Sequence, residues 1–161
     1  MDNNPSPGNK RGGLTTILEK SLGAVAKSGS APLTDVFLFA EKIETPGFVF
    51  MDRPGFDPCS VTGQIASGAN LIAFTTGRGS VSGYMPTPGI KIATNSEMYH
   101  RMSDDMDVNC GDIVSEGVSL TDKGRDIFEL FIRVASGEPT KSEELGFGGV
   151  EFVPWQIGAV M

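Results

Sequence analysis

The chain has 161 residues and a formal net charge of −7, which argues against a general nucleic-acid binder. Its hydrophobic (39%) and charged (20%) fractions are those of a folded protein of one domain, and no run approaches the roughly 18–20 apolar residues of a membrane span. Neither of the two cysteines, Cys59 and Cys110, belongs to a CxxC pair. A disulfide between them is open, but reduced thiols in the cytoplasm are expected.

The first fifty residues predict one helix and two strands. Residues 1–13 are polar and rich in proline and glycine, which predicts a starting loop or linker without a helix. Apolar residues at helical spacing over 14–25 predict a helix that ends before Gly29. Short, unalternating apolar runs at 36–39 and 48–51 predict strands that are buried on both faces.

The middle of the chain predicts a βαβ unit. Ser60 is a suitable cap for a helix that continues to Ala66, between the strand at 48–51 and a third apolar run at 71–75. A strand, a helix and a strand within about 30 residues favour parallel pairing. A fourth apolar run predicts a strand at 90–93.

The last third predicts two helices, a weak strand and a tail. Asn95 or Ser96 can cap a helix rich in methionine, and 113–114 predicts a weak fifth strand. Ser119 begins the clearest amphipathic helix. The α/β domain is therefore expected over 14–137. The remaining segment, 138–161, is acidic and then apolar, and we expect it to dock onto the body of the protein or onto a partner.

The loop after the third strand has the composition of an anion-binding site. In open α/β sheets, ligands bind at the carboxyl ends of the strands. Hydroxyl groups, backbone N–H groups at glycines and a guanidinium can converge there on a carboxylate or phosphate. We assign substrate binding to Thr75, Thr76, Gly77, Arg78 and Gly79. The alternative is a solvent-exposed turn, and the absence of GK[ST] after the glycines argues against a Walker A loop.

Other polar residues are weaker site predictions. Lys91, on the fourth strand, can add a second positive charge, and Lys10 lies in a glycine-rich loop before a helix N-terminus, where either an anion site or a capping turn is expected. The acidic stretch 104–112 offers oxygen ligands to a divalent ion but lacks EF-hand spacing, so a solvated acidic face is the favoured alternative. The two cysteines are typical small buried residues, with iron ligation as the alternative.

Several long segments together resemble the altronate dehydratase/galactarate dehydratase family, in its carboxyl-terminal part. The resemblance covers nearly the whole chain, and the segments occur in the right order. They are NPSPGNKRGGLTTILEKSLGAVAKSGSAPLTDV at 4–36, FTTGRG at 74–79, the stretch 86–95, MDVNCG at 106–111 and EFVPWQIGAVM at 151–161.

The resemblance implies a hydro-lyase that removes water from altronate or a related aldonate or aldarate, leaving a 2-keto-3-deoxy acid. It also implies a divalent metal, typically iron(II), with manganese(II) as the alternative. The PGxDP pattern at 54–58 is more similar to the altronate side of the family. The implied fold is a three-layer, Rossmann-like, mostly parallel sheet with flanking helices, of which this chain is the second half.

Full-length members of that family are much longer, and Met1 falls where their middle lies. We therefore expect a fragment, a separately encoded half or a truncated gene product. Its expected partners are the sugar-acid substrate and the missing amino-terminal half or a separate subunit, in a homo-oligomer when complete, with neither nucleic acid nor membrane. The isolated chain is expected to have little or no activity.

The chemistry implied by the resemblance suggests roles for specific residues. Lys10 and Lys91 are assigned to charge stabilisation or proton transfer. The assigned metal-binding or neighbouring residues are Asp57, Cys59, Asn109 and Asp112. Two further functions stay open, a subunit similar to a sulfolactate sulfo-lyase and a non-catalytic anion-binding or assembly fragment.

Overall fold

The structure, a computed structural model, describes residues 4–153. Helices and strands alternate along most of this range. In chain order they are α1 (Pro7–Arg11), α2 (Ile17–Ala26), β1 (Leu33–Phe37), β2 (Phe48–Met51), α3 (Asp57–Ala66), β3 (Ile72–Thr76), β4 (Gly89–Ala93), α4 (Ser96–Arg101), β5 (Val108–Asn109), α5 (Asp112–Ser115), α6 (Leu120–Ala135) and α7 (Lys141–Glu144).

The strands form two parallel sheets, which confirms the predicted α/β fold with a parallel, Rossmann-like arrangement. β1 pairs with β2, and a separate sheet has the order β3-β4-β5 with β4 in the centre. The predicted strands at 48–51 and 90–93 are confirmed, the third strand is shifted by one residue, and the first strand begins at Leu33 rather than 36.

The predicted fifth strand at 113–114 is wrong. These two residues lie in α5, and the fifth strand is β5, which pairs with the end of β4. The N–H of Cys110 donates to the carbonyl of Ala93 at 2.8 Å, after which Gly111 turns the chain into the short helix. An apolar pair is too short to have a period, so its sequence does not distinguish a strand from a helix turn.

One helix begins earlier in the chain than predicted, and one helix was not predicted. α3 begins at Asp57 rather than Ser60, because Pro58 is compatible with the first turn of a helix, where no N–H is needed. The segment predicted as a helix-free loop contains α1. There Ser6 and Asn9 form a capping box, with the N–H of Asn9 donating to Ser6 Oγ at 3.4 Å and the N–H of Ser6 donating to Asn9 Oδ1 at 3.2 Å.

The core surrounds the three-stranded sheet. On one face Ile90 and Ile92 pack against the predicted apolar stripe of α6, including the buried Val134. The remaining buried clusters consist of Ala93, Met98 and Met106, and of Val61, Ile72 and Tyr84.

The two-stranded sheet differs from the prediction of strands buried on both faces. Within this chain Phe37 and Met51 are buried, whereas Val36 is 57% exposed and Phe50 is 56% exposed. α2 forms over most of the predicted range but has no buried residue. The amino-terminal part of the fold is therefore only half covered.

The described part of the C-terminal segment reaches α3, where the N–H of Val153 donates to Thr62 Oγ1 at 2.9 Å. Residues 154–161, which include most of the apolar tail, lie outside the described residues, so docking of the tail stays a prediction. None of the helices within 4–153 combines the length and apolar character required to cross a membrane.

Candidate functional site

The carboxyl ends of β3, β4 and β5 form one polar edge. The backbone N–H and the hydroxyl of Thr94 both donate to the carbonyl of Thr76, at 3.0 and 3.2 Å, and Asn95 Nδ2 donates to the carbonyl of Gly77 at 3.0 Å. Ser96 Oγ accepts from Asn109 Nδ2 at 3.1 Å, which joins the β4 end to the β5 end. These bonds hold three loops in fixed relative positions, as a binding site requires.

The predicted anion-binding loop lies at this edge with a defined turn. Thr76 Oγ1 accepts from the N–H groups of Arg78 and Gly79, at 3.2 and 3.1 Å. Thr76 therefore shapes the loop. The residue type alone does not distinguish this structural role from direct substrate binding. Gly79 has φ +96°, and a Cβ there would lie 2.1 Å from Met102 Sδ, so the turn requires glycine.

Arg78 and Thr75, by contrast, remain exposed at the edge. Among residues 4–153, the salt bridges join other pairs and none includes Arg78. The guanidinium is thus not committed to a carboxylate of this part of the chain. It is able to present two parallel N–H donors to the carboxylate of a ligand.

Lys91 is the most unusual polar residue of the sheet. Its side chain is 2% exposed, and within the described residues its Nζ has no hydrogen-bond partner. Burial lowers the pKa of Lys91, an effect that the negative charges of Asp107 and Asp105 oppose. A buried amine without a hydrogen bond destabilises a fold, and such groups cluster at functional sites.

Asp107 organises the surroundings of Lys91, although its sequence position indicates only a member of the acidic stretch 104–112. Its Oδ2 accepts the backbone N–H of Lys91 at 2.6 Å, and its Oδ1 accepts the backbone N–H of Lys141 at 2.9 Å. The carboxylate therefore joins β4 to the start of α7. Its place in the acidic stretch 104–112 was the available sequence signal.

Asp112, one of the predicted metal residues, is instead paired with a lysine. Its Oδ2 accepts from Lys123 Nζ at 2.5 Å, and both side chains are largely buried. This hydrogen bond raises the pKa of Lys123. Burial raises the pKa of the neighbouring Cys110 thiol, which disfavours the thiolate that a metal would require.

The other predicted metal residues lie in different surroundings. Asp57 begins α3, where burial raises the pKa of its carboxyl while Arg53 opposes that shift. Cys59 is 2% exposed inside the same helix. Asn109 Oδ1 accepts the N–H of Gly111 at 2.9 Å, so it holds the polar edge together.

These residues do not fit an iron(II) or manganese(II) site by themselves. Within residues 4–153, no three His, Cys, Asp or Glu side chains gather in a way that could hold a metal ion, so Asp57, Cys59 and Asp112 do not do so together. The cation of Lys123 already balances Asp112.

Arg53 is a polar residue that the site prediction missed, although the sequence displayed it at the end of a strand. It lies two residues after the end of β2 and donates to Ser60 Oγ. Burial lowers its pKa, and Asp57 opposes this shift. Lys10, the other predicted catalytic lysine, is exposed in α1.

Comparison with known proteins adds a family match and full-length relatives. Residues 1–160 match the family described as D-galactarate/altronate dehydratase, C-terminal. The chain is 40% identical over 144 residues to galactarate dehydratase (L-threo-forming) of Escherichia coli, covering 89% of this chain and 28% of the relative. It is 38% identical over 145 residues to altronate dehydratase of Bacillus subtilis, covering 89% and 29%.

A third relative has a different named activity. The chain is 36% identical over 148 residues to the (2R)-sulfolactate sulfo-lyase subunit beta of Chromohalobacter salexigens, covering 90% of this chain and 38% of the relative. The chain therefore spans less than a third of the two dehydratases above and well under half of the sulfo-lyase subunit.

Proposed function

The chain belongs to the D-galactarate/altronate dehydratase family, as its C-terminal part, and from this premise we propose that it supplies one side of the active site of a sugar-acid dehydratase. The favoured substrate is altronate, because of the PGxDP pattern at 54–58, with other aldonates and aldarates as close alternatives. Turnover belongs to the complete enzyme, since the chain spans under a third of the dehydratase relatives.

The observation that carries the proposal is the buried amine of Lys91, in the strand beside the Arg78 loop, for which residues 4–153 offer no hydrogen-bond partner. Lys91 pairs in register with Phe74 on β3, two residues before the end of that strand, and the loop begins where β3 ends. A cation for the substrate carboxylate and a buried basic group thus belong to neighbouring strands of one sheet. Dehydration next to a carboxylate requires both groups.

In the proposed mechanism, Arg78 holds the substrate carboxylate through two parallel hydrogen bonds. The neutral amine of Lys91 accepts the proton at C2, and the electron pair of the C–H bond forms an enolate. The guanidinium of Arg78 stabilises this enolate. Hydroxide leaves from C3 and takes a proton from a donor outside the described residues. The resulting enol then becomes the 2-keto-3-deoxy acid. Burial favours the neutral amine that this step needs.

Several features of the complete enzyme stay proposals. Iron(II) or manganese(II) would need ligands from outside residues 4–153, given that the side chains here do not form a site. Assembly into a homo-oligomer and a cytoplasmic location likewise remain expectations. They follow from the family resemblance and from the cysteine content.

A sulfo-lyase reaction is the second candidate, because one relative is named a sulfolactate sulfo-lyase subunit. Carboxylate binding and removal of the C2 proton would be the same, and only the leaving group would differ. A turnover assay with altronate, galactarate and sulfolactate side by side distinguishes the two candidates. If the chain only binds anions or assists assembly, replacing Lys91 or Arg78 would leave turnover by the complete enzyme unchanged.

Arg78→Lys tests the proposed carboxylate contact. In the complete enzyme we expect kcat/KM to fall at least ~10-fold, or about 1.4 kcal/mol, because lysine cannot reproduce the planar fork of donors. Thermal stability should be unchanged, as Arg78 is exposed. Arg101→Lys, at another exposed arginine, is the matched control. Normal kinetics with a lower melting temperature would assign Arg78 to the loop structure instead.

The isolated 161-residue chain should turn over neither altronate nor galactarate at a measurable rate. The proton donor for the leaving hydroxide and the remaining substrate contacts are expected in the part of the relatives that this chain does not cover. The measurement is a dehydration assay under reducing conditions with iron(II) or manganese(II), with and without the missing part. Robust turnover by the chain alone would contradict this expectation.

A further inference from the structure

Two apolar surfaces near the start of the chain are left uncovered within residues 4–153. The first is the stripe of α2 formed by Leu18, Leu22 and Val25, which are 71%, 63% and 68% exposed. We name it the α2 stripe. These positions are spaced i, i+4 and i+7, so they share one side of the helix.

The second surface is one face of the two-stranded sheet. Val36 pairs in register with Phe50, and Phe48 lies two residues earlier on the same strand, so these three residues share a face. Leu38 directly follows the end of β1 and is grouped with them. All four are exposed, by 57%, 56%, 37% and 71%. We name this set the open face. Phe37 and Met51 point the other way and are buried.

Both surfaces conflict with what their elements need. Parallel sheets are covered on both faces in nearly all known proteins. A ten-residue helix is marginal in water unless tertiary packing stabilises it. Between 17 and 50, nine large hydrophobic residues are exposed, which exceeds the scattered apolar residues of an ordinary surface.

The length of the relatives indicates what covers these surfaces. The two dehydratases match this chain over 28% and 29% of their own length, and the matching family describes a C-terminal part. Most of such a protein therefore precedes the matched part. The uncovered surfaces lie in the first third of this chain, next to the point where that preceding part joins.

We propose that the α2 stripe and the open face together form the docking surface for the amino-terminal part of a family dehydratase. The occupant is that preceding part, present in the same chain or as a separate polypeptide. The inference rests on the proposed function only for the identity of the partner. It predicts that the interface between the two parts is apolar.

The test is complex formation, measured without any activity assay. The 161-residue chain is co-expressed with the amino-terminal portion of Bacillus subtilis altronate dehydratase, which ends where the 145-residue match begins. We expect the two polypeptides to co-purify as one complex. Leu22→Glu and Val36→Glu should each weaken the complex at least ~10-fold in titrations, because each places a charge in an apolar interface.

Two controls match these variants. Ala24→Glu adds the same charge to an exposed position on another side of α2, and Val114→Glu replaces a valine that is 89% exposed and lies far along the chain. Both controls should bind normally. Failure of the wild-type chain to bind, or equal binding by all four variants, overturns the proposal.

Two other results also overturn it. A homo-oligomer of this chain that Leu22→Glu dissolves would identify a second copy as the occupant. A fall in the melting temperature of the isolated chain with Leu22→Glu would show that α2 folds back onto its own chain. Complex formation is measured independently of dehydratase activity. A complex that forms but has no dehydratase activity would therefore count against the proposed function alone.

Discussion

Lys91→Met should abolish the dehydratase activity of the complete enzyme while making the fold more stable. We expect kcat/KM to fall at least ~100-fold, the usual contribution of a positioned general base. The free energy of unfolding should rise by about 1–3 kcal/mol, because a buried amine without a hydrogen bond is replaced by an apolar side chain of similar length. A purely structural residue would not show this opposition of activity and stability.

The pH dependence of stability tests the burial of the Lys91 amine independently of enzyme activity. Burial lowers its pKa, so between that lowered pKa and the ordinary value of 10.5 the unfolded chain binds more protons than the native one. The free energy of unfolding contributed by Lys91 therefore rises with pH across this window. The destabilisation caused by burying the protonated amine is largest below the lowered pKa and is gone above 10.5.

Urea unfolding of the wild type and of Lys91→Met at several pH values measures both effects. The stability gain from the substitution should shrink as the pH rises. Lys27→Met, at an exposed lysine just after α2, is the control and should change neither stability nor its pH dependence. If Lys91→Met destabilises the protein instead, the amine makes a stabilising contact and is not the proposed base.

Gly111→Ala should unfold the polar edge of the sheet. A Cβ at this position would lie 2.0 Å from the backbone nitrogen of Ser96 and 2.4 Å from the carbonyl carbon of Asn95. These are backbone atoms held by the bonds between strand ends, so they cannot rotate away. We expect a loss of about 3 kcal/mol or more, from overpacking that moves two strand ends apart.

The backbone of Gly111 isolates this effect as a steric one. Its φ is −66°, which alanine adopts without strain. Gly124→Ala in α6, where an added Cβ meets nothing within 4 Å, should instead stabilise the protein by up to about 1 kcal/mol. Thermal unfolding of both variants is the measurement. A melting temperature for Gly111→Ala equal to that of the wild type would show that the α4 and β5 ends are not held as closely as described.

The exposed two-stranded sheet illustrates why burial was only partly predictable. The runs at 36–39 and 48–51 have the composition of strands covered on both sides, and both strands form. The apolar composition of a strand indicates that its side chains are suited to burial, but it does not identify the segment that covers them. Within residues 4–153 nothing packs over this face, so Val36 and Phe50 face solvent.

For the candidate site as well, the sequence predicted some residues, and only the structure revealed the surroundings of others. The Arg78 loop was predicted because a glycine-rich polar segment follows an apolar run, and Lys91 because it places a second positive charge on the next strand. The metal residues were predicted from their donor atoms, and the type of donor atom does not give the distances between these side chains in the folded chain. Only the folded chain pairs Asp112 with Lys123, 11 residues away.

The sequence by itself determined the order and parallel pairing of the main strands, the amphipathic α6 and the family, because apolar periodicity and long ordered segments are local properties of a chain. Tertiary structure decided the fifth strand, the burial of Lys91 and the role of Thr76. Each of these depends on contacts between segments that are distant in sequence, or on hydrogen bonds whose geometry exists only once the strand ends meet.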